Sequence, residues 1–370
     1  MARLARACVP ALLAIGVGSC GLAGSAAAET FVNPLLASGP DPWVIRHDGF
    51  YYYTNTLGDR IALWRTRDIT RLRTAEEKVI WRPPAAGPDS ASIWAPELHW
   101  IRGKWYVYFT ASDRAHNDDA HRHVFVLENA AKDPLEGHWT ERAMLHTSYP
   151  GIDPTAFSDG GRLYFVYSAY VGSHSDLIIA RMLNPWTLSA RQVDIAQPTK
   201  SWEMQGGRQI LEGPEFLRGR RGQRFLVYSA SACWSDQYAL GMLTAAPGAN
   251  LLDPRSWTKS QEPVFHASAA NGVYATGHNG FFKSPDGKED WIIYHANSAP
   301  DEGCGKDRSP RIQAFKWRPD GTPDFGVPLR AGVPLQAPGG RAASSRAGAR
   351  DPRGGDRGTQ GSGSQDTAAR

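Results

Sequence analysis

A short phrase that recurs five times along the chain constrains the fold more than any other feature of the sequence. In each copy a short apolar run and a glycine turn precede a strand that alternates aromatic and small residues. The first three copies begin at Pro42, Pro96 and Pro154, a fourth begins at Gly213, and a looser fifth begins at Gly277. Successive prolines of the first four copies lie 54, 58 and 60 residues apart, and the fifth copy follows after a similar interval, a spacing typical of repeat architectures.

Each copy has the pattern of a β-hairpin, and the segments between copies supply further strands. Runs such as "YVYFTAS", "YFVYSAY" and "FLVYSAS" have the period of two that strands require. The body shows no sustained helical period with caps, and four short strands repeated at this spacing predict propeller blades. The sequence therefore predicts an all-β, five-bladed β-propeller. A long β-sandwich with unrelated tyrosine-rich strands is the alternative.

The propeller prediction brings three acidic residues to one end of a central channel. Asp41 and Asp153 stand directly before the proline of their copies, and in the fourth copy Gly213 takes this place, with Glu212 one residue earlier. The first strand of each blade lines the channel, so equivalent positions form a ring. Taken singly, each acid has the ordinary interpretation of a residue at a turn or strand start. Together they suit inverting glycoside hydrolysis, which needs a carboxylate base, a carboxylic acid and a means of raising the pKa of the acid.

Two further acids, Glu97 and Glu215, each follow a repeat proline directly. We expect their side chains to point away from the channel axis into the packing of the blades. There they would make structural hydrogen bonds and take no part in the chemistry.

The two ends of the chain differ in composition from its body. Residues 1–28 carry two arginines ahead of an apolar segment that ends in "SAAAET", the pattern of an export signal cleaved after Ala28. The segment "VGSC" also allows a lipoprotein anchored through Cys20. Residues 336–370 are mostly Gly, Ser, Arg and Ala, which predicts a disordered tail. The propeller domain is therefore expected at residues 29–335, in a protein that is secreted or periplasmic.

The formal net charge of +4 comes from these two ends. Without them the body is close to neutral, which gives no support for a nucleic-acid partner. The apolar segment at the N-terminus is too short for a membrane span. We expect a monomer whose partner is its sugar substrate.

The five copies together resemble glycoside hydrolase family 43, whose members are five-bladed propeller enzymes that cleave arabinofuranosides and xylosides with inversion. The resemblance covers about residues 32–335 and rests on five motifs in order, "DPWVIRHDGFYYY", "WAPELHWIRGKWYVYF", "IDPTAFSDGGRLYFVY", "LEGPEFL" and "GHNGFFKSPDGKEDWIIYHA". By position it implies that Asp41 is the general base, Asp153 the modulator of the acid's pKa and Glu212 the general acid. The sequence contains no cofactor motif, so we expect that no cofactor is required.

Several segments resemble the branch of exo-α-1,5-L-arabinofuranosidases, among them "RIALWRTRDI", "SIWAPELH" and "RSPRIQAFKW". The resemblance makes Trp94 a sugar-stacking residue, with a core tryptophan as the alternative. It makes Arg311 the arginine that reaches the sugar hydroxyls, with a salt-bridged surface residue as the alternative. His278 occupies the ring in the fifth copy. In some relatives such a histidine helps to hold a structural Ca²⁺, and a histidine hydrogen-bonded within the channel is the other interpretation.

Cys233 and Cys304 are the two cysteines outside the export signal. Cysteines of an exported chain can pair, and two unrelated buried thiols are the alternative. Both lie in segments expected to form channel-facing loops of the fourth and fifth blades, so we predict a Cys233–Cys304 disulfide that braces the pocket rim. A third loop, "HNDDAHRHV" from His116 to Val124, shows no metal-ligand spacing and is expected to be a polar rim loop.

The sequence thus predicts a secreted, inverting exo-arabinofuranosidase that acts on arabinan or arabino-oligosaccharides. A β-xylosidase or an arabinoxylan arabinofuranosidase is the alternative among enzymes, because the shape of the subsites distinguishes these activities. A sugar-binding propeller that has lost catalysis is the alternative outside the enzymes. The presence of all three carboxylates weighs against it.

Overall fold

The computed structural model describes residues 29–339, and β-strands make up most of the regular structure in this range. The strands fall into five antiparallel groups of four, one for each predicted repeat. The third and fourth groups are joined into one sheet by a short parallel pairing of His174 and Ser175 with Gln209 and Ile210.

The first blade comprises β2 (Trp43–His47), β3 (Phe50–Thr54), β4 (Ile61–Thr66) and β5 (Glu76–Trp81). The second comprises β6 (Ala91–Ile101), β7 (Lys104–Ser112), β8 (Arg122–Asn129) and β9 (Thr140–Met144). The third comprises β10 (Gly151–Asp159), β11 (Arg162–Val171), β12 (His174–Asn184) and β13 (Thr187–Ala196). The fourth comprises β14 (Gln209–Arg218), β15 (Arg224–Ala230), β16 (Ala239–Ala245) and β17 (Trp257–Lys259). The fifth comprises β18 (Tyr274–Lys283), β19 (Asp290–Asn297), β20 (Ser309–Trp317) and β21 (Pro323–Asp324).

The remaining elements are short. Two end strands, β1 (Thr30–Phe31) and β22 (Leu335–Gln336), pair with each other. Short 3₁₀ helices lie in the loops at Ile69–Thr74, Asp119–His121, Ser201–Glu203, Gln205–Gly207, Pro254–Ser256 and Ala269–Asn271.

The innermost strands of the five blades form a closed ring. Strand β2 contacts β6, β6 contacts β10, β10 contacts β14, β14 contacts β18, and β18 returns to contact β2. A closed ring of five four-stranded sheets is a five-bladed propeller. The predicted fold class is therefore confirmed.

Apolar side chains fill the five interfaces between neighbouring blades. Val166 of the third blade packs in one cluster with Leu226 of the fourth, and Tyr53 of the first blade packs with Ile293 of the fifth. Equivalent clusters fill the other three interfaces. Burying a large apolar side chain contributes about 1.5 to 3 kcal/mol relative to exposure, so these clusters hold the ring together.

The beginning of the described chain ties the fifth blade to the first. The side-chain amide of Asn33 donates to the carbonyl oxygen of Ile312 at 2.9 Å, and the N–H of Ile312 donates back to the Asn33 side chain at 3.0 Å. Gln336 was predicted to begin the tail, but it pairs with Thr30, and Ala337 is buried in the same cluster as Phe31. The ordered chain therefore extends past 335, because these residues cover apolar surface at the closure.

The predicted export signal at 1–28, including Cys20, and the tail from 340 onward lie outside the described residues. Across residues 29–339, no helix is long and apolar enough to cross a membrane.

Candidate active site

Each blade bends its first strand in the same way at one end of the channel. Five equivalent residues adopt a left-handed backbone with φ between 43° and 54°, and in four blades a β-bulge accompanies the bend, with two residues facing one on the second strand. A left-handed conformation at a residue other than glycine costs about 1 kcal/mol or more, and such strain is typical of functional sites. The five residues are Asp41, Ala95, Asp153, Gly213 and His278.

The backbone N–H of each bent residue donates a hydrogen bond to a side chain of the preceding blade. In four blades the acceptor lies on or just after the second strand of that blade. The pairs are Ala95 to Thr56 at 2.7 Å, Asp153 to Thr110 at 3.0 Å, His278 to Ser229 at 2.7 Å and Asp41 to His295 at 3.1 Å. In the fourth blade the acceptor is a carboxylate instead, since the N–H of Gly213 donates to Oδ2 of Asp153 at 3.1 Å. The ring of bonds fixes the position of each bent residue relative to its neighbour.

Glycine occupies the ring position of the fourth blade because the neighbouring histidine fills the space. A Cβ atom on Gly213 would lie only 3.2 to 3.4 Å from the ring of His278. The acidic residue of this blade therefore comes from the preceding position, Glu212. This displacement explains why the three acids are not strictly equivalent in sequence.

The three predicted carboxylates line one pocket of about 420 Å³ at this end of the channel. His278 lines the same pocket, which lies over the centre of the ring. The other lining residues are Thr56, Trp94, Asp119, Arg122, Ile152, Tyr170, Ser175, Arg208, Ile210, Cys233, Trp234, Cys304 and Arg308.

Two hydrogen-bond donors and two imidazole rings surround the carboxylate of Asp41. Nη1 of Arg308 donates to Oδ1 at 2.7 Å, and the hydroxyl of Thr56 donates to Oδ2 at 2.6 Å. The imidazoles of His278 and His295 lie 3.3 and 3.5 Å from Oδ1. Burial alone would raise the pKa of Asp41, but Arg308, the two histidines and Thr56 together hold it well below its usual range. Asp41 is therefore a carboxylate at any physiological pH.

The pKa values of Asp153 and Glu212 are raised, whereas that of Asp41 is lowered. Burial raises the pKa of Glu212 to about 7, aided by the charge of Asp41, although the hydroxyl of Tyr238 donates to Oε1 at 2.7 Å and opposes the shift. Burial and the charges of Glu212 and Asp41 also raise the pKa of Asp153 well above its usual value. The two groups titrate as a pair, so the pair retains a proton near neutral pH. The pocket thus contains both a fixed base and a proton-holding pair.

Glu97 and Glu215 form a second carboxyl pair inside the channel, contrary to the expectation that they would point into the blades. Both are buried, and they share a hydrogen bond, while Oε2 of Glu97 lies 2.8 Å from Nε2 of His99. The second and fourth blades are not neighbours in the ring, so this bond spans the channel. The expected hydrogen bonding is present, but the expected direction was wrong, because the β-bulge shifts the alternation of the strand. Glu97 therefore shares a face with Trp94, and Glu215 shares a face with Glu212.

Trp94 lies in the pocket wall at the position equivalent to Glu212. The guanidinium of Arg122 lies over one face of its indole, 3.9 Å from the ring centroid. Arg122 and Asp119 belong to the predicted rim loop, and Asp119 accepts a hydrogen bond from Arg208 at 3.2 Å. The sequence placed this loop at the rim but gave no signal that these two residues would line the pocket.

Arg311 does not reach the pocket. It is fully buried in β20, the third strand of its blade, where Nη2 donates to the carbonyl oxygen of Asn297 at 3.3 Å and to the hydroxyl of Ser298 at 2.9 Å. The arginine over the site is Arg308, which precedes β20 in a loop at the pocket end of the blade. The motif "RSPR" contains both arginines, and only the position of the strand start distinguishes them.

A disulfide joins Cys233 and Cys304, the pair expected from the sequence. It connects the loop after β15 to the loop before β20, and both cysteines line the pocket. Trp234 lies next to the disulfide, with 48% of its surface exposed and its Nε1 donating to the carbonyl oxygen of Gly206 at 3.0 Å. The crosslink therefore connects the segments that carry Trp234 and Arg308.

The described residues contain no group of three or more His, Cys, Asp or Glu side chains suited to bind a metal ion. The carboxylate oxygens closest to His278 belong to Asp41 and Asp153, which already accept hydrogen bonds from Arg308, Thr56 and Gly213. The set does not fit the oxygen-rich shell that Ca²⁺ prefers. Calcium in the channel remains a prediction from resemblance.

Comparison with known proteins identifies the family to which this chain belongs. The family model described as "Glycosyl hydrolases family 43" matches residues 31–323. The chain belongs to glycosyl hydrolase family 43. It is 42% identical over 335 residues to "Extracellular exo-alpha-(1->5)-L-arabinofuranosidase" of Streptomyces avermitilis, a match that covers 87% of this chain and 69% of that protein.

Two further relatives of this family 43 enzyme are also named as arabinofuranosidases. "Alpha-L-arabinofuranosidase 43" of Humicola insolens is 39% identical, over 87% of this chain and 68% of that protein. The crystal structure of an α-L-arabinofuranosidase from Lactobacillus brevis superposes with a TM-score of 0.77 at 35% identity, covering 82% of this chain and 98% of that chain. The predicted family is confirmed, and the protein is a glycoside hydrolase.

Proposed function

We propose that this enzyme removes single L-arabinofuranose residues from the ends of α-1,5-linked arabinan or arabino-oligosaccharides, with inversion at the anomeric carbon. The observation that carries the proposal is the contrast between Asp41, held ionised by Arg308, and the proton-holding pair of Asp153 and Glu212. An inverting hydrolase needs this combination of base and acid. The choice of arabinofuranose as the sugar rests on the names of the relatives, which are arabinofuranosidases.

The reaction follows from the charges of these groups. Asp41 accepts a proton from a water molecule as the water oxygen bonds to the anomeric carbon. Glu212 gives its proton to the glycosidic oxygen as the bond to the leaving sugar breaks. Asp153 accepts the N–H of Gly213, which favours its ionised form, and repulsion between two neighbouring carboxylates keeps the shared proton of the pair on Glu212 until the transition state.

The walls of the pocket suit a chain end better than the middle of a polymer. Trp94, with the guanidinium of Arg122 over one face of its indole, and Trp234, next to the disulfide, both line the pocket. Asp119 of the second blade and Arg208 at the start of the fourth also line it, and their ion pair at 3.2 Å joins loops of two blades that are not adjacent in the ring. The other face of Trp94 can pack against the apolar face of a sugar. These walls support exo action.

Secretion forms part of the same proposal. The sequence begins with an export-signal pattern, and a disulfide lies at the rim, as expected in an oxidising compartment. Relatives from Streptomyces avermitilis and Streptomyces chartreusis are named extracellular.

The test is product analysis on linear α-1,5-arabino-oligosaccharides and, in parallel, on xylo-oligosaccharides. The Glu212→Gln and Asp41→Asn variants serve as controls, because each keeps the shape of the side chain but can neither donate nor accept the proton that the reaction requires. Arabinose as the sole early product, lost in both variants, supports the proposal. Release of xylose without release of arabinose would contradict the proposed substrate. Sugar binding without hydrolysis of either would indicate a binding propeller.

A further inference from the structure

A second concave surface lies beside the pocket, over the fourth blade and its loops, and has a volume of about 640 Å³. We call it the distal groove. It is lined by Ser201, Trp202, Gln205, Gln237, Ala239, Glu262, Pro263 and His266.

The distal groove and the active-site pocket are built from the same two chain segments. The segment after Trp202 supplies Gln205 to the groove and Arg208 to the pocket, and the loop after β15 supplies Trp234 to the pocket and Gln237 to the groove. The two segments are bonded where they meet, since the N–H of Ala232 donates to the carbonyl oxygen of Gln205 at 3.0 Å and the indole N–H of Trp234 donates to Gly206. These bonded segments therefore form a wall common to both concavities, and Trp234 lies exposed on it.

The groove lies on the side of the pocket where the leaving part of the substrate must be. In an inverting hydrolysis, water attacks from the side of the base and the leaving group departs on the side of the acid. Glu212 and the groove both belong to the fourth blade and its loops, whereas Asp41 belongs to the first. A third concavity, whose lining includes Pro40, Thr56 and Lys306, lies on the side of Asp41.

The chemistry of the groove matches a carbohydrate. Trp202 is half-buried and fixed in orientation, because its indole N–H donates to the carbonyl oxygen of Gln261 at 2.9 Å. The side chains of Gln237 and Glu262 are exposed and have no hydrogen-bond or ion-pair partner within residues 29–339. An amide, a carboxylate and the imidazole of His266 around an aromatic ring are the groups that bind sugar hydroxyls and the apolar face of a sugar.

We propose that the distal groove binds arabinosyl residues of the leaving oligosaccharide that lie beyond its first sugar. The sugar chain would cross Trp234 to reach the groove. This inference rests on the proposed function and adds a prediction of its own. The enzyme should prefer long arabino-oligosaccharides over short ones.

The test compares kcat/KM on arabinohexaose with kcat/KM on arabinobiose. In the unmodified protein we expect the ratio to exceed one. In a Gln205→Ala/Gln237→Ala double variant the ratio should fall about fivefold to tenfold, because each lost hydrogen bond to a sugar hydroxyl weakens binding modestly. Trp202→Ala is less suitable, since Trp202 packs against Tyr228 and Gly241 and its loss can unfold the blade.

Gln223→Ala is the matched control, because Gln223 lies in the turn between β14 and β15, at the end of these strands away from Glu212. An unchanged ratio in the double variant, or an equal fall in the control, would overturn the groove proposal. A second readout separates this result from failure of the proposed function. Calorimetric binding of arabinohexaose to a Glu212→Gln protein should weaken when the two glutamines are replaced, and equal affinity would also contradict the proposal.

Discussion

Nη1 of Arg308 lies 2.7 Å from Oδ1 of Asp41, although the two residues are 267 positions apart. The bond crosses the junction between the last blade and the first. The closure of the propeller therefore also completes the environment of the proposed base, and a residue outside the three acids controls the charge of Asp41.

Replacing Arg308 should shift the acidic limb of the pH profile of kcat/KM. Arg308 holds the pKa of Asp41 down, so Arg308→Ala raises that pKa, and the base becomes ionised only at higher pH. We expect the acidic limb of kcat/KM to shift upward and the maximum to fall about tenfold to a hundredfold. Arg308→Lys, which retains a positive charge, should shift the limb less. A higher KM with an unmoved acidic limb would show that Arg308 only binds substrate.

Tyr238 should determine the pH at which activity falls on the alkaline side of the pH–activity profile. Its hydroxyl donates to Glu212 and lowers a pKa that burial raises to about 7. Activity of the unmodified protein should fall as the pH rises through about 7, because the acid loses its proton. Tyr238→Phe removes the bond, raises the pKa of Glu212 and should move this limb to higher pH. The ring remains to pack against His295. A shift to lower pH would contradict the assignment of Glu212 as the acid.

Glu212 should make folding stability depend on pH. Its pKa is raised from 4.5 to about 7 in the folded protein, so the folded state resists ionisation that the unfolded chain accepts freely. The penalty is absent below pH 4.5 and complete above pH 7. Glu212→Gln should therefore increase the free energy of unfolding at pH 8 by about 1 to 3 kcal/mol, with little effect at pH 4. Denaturant unfolding at both pH values measures this, and equal effects at both would exclude the assigned pKa shift.

The disulfide should support both stability and activity. Cys233 and Cys304 are separated by 71 residues, and a crosslink that closes a loop of this length stabilises by about 4 kcal/mol in the chain-entropy model. A Cys233→Ser/Cys304→Ser double variant should unfold at a lower temperature. It should also show a raised KM, because the loops of Trp234 and Arg308 lose their connection. An unchanged KM would mean that the crosslink does not position the rim.

The repeats made the fold and the ring of carboxylates predictable. Equivalent positions in a propeller meet at the channel whatever their separation in sequence, so Asp41 and Asp153 could be placed together without any knowledge of loops. Glu212 required one more step, because its blade has glycine at the ring position to make room for His278.

The loop residues could not be placed in the same way. Arg308, Asp119 and Arg122 reach the pocket through loop conformations that depend on contacts between blades, and no periodicity marks them. Arg311 was assigned in place of Arg308 because the start of β20 could not be located to within three residues. The Glu97–Glu215 pair escaped prediction because the bond forms across the channel between blades that are not adjacent.

The most direct test of the central claim is the anomeric form of the first product. Hydrolysis of α-1,5-arabinobiose should be followed by proton NMR from the first minutes, before the sugar equilibrates. If Asp41 activates water opposite the departing oxygen, β-L-arabinofuranose appears first and disappears when Asp41 is replaced by asparagine. Initial release of the α-anomer would contradict the proposed roles of Asp41 and Glu212.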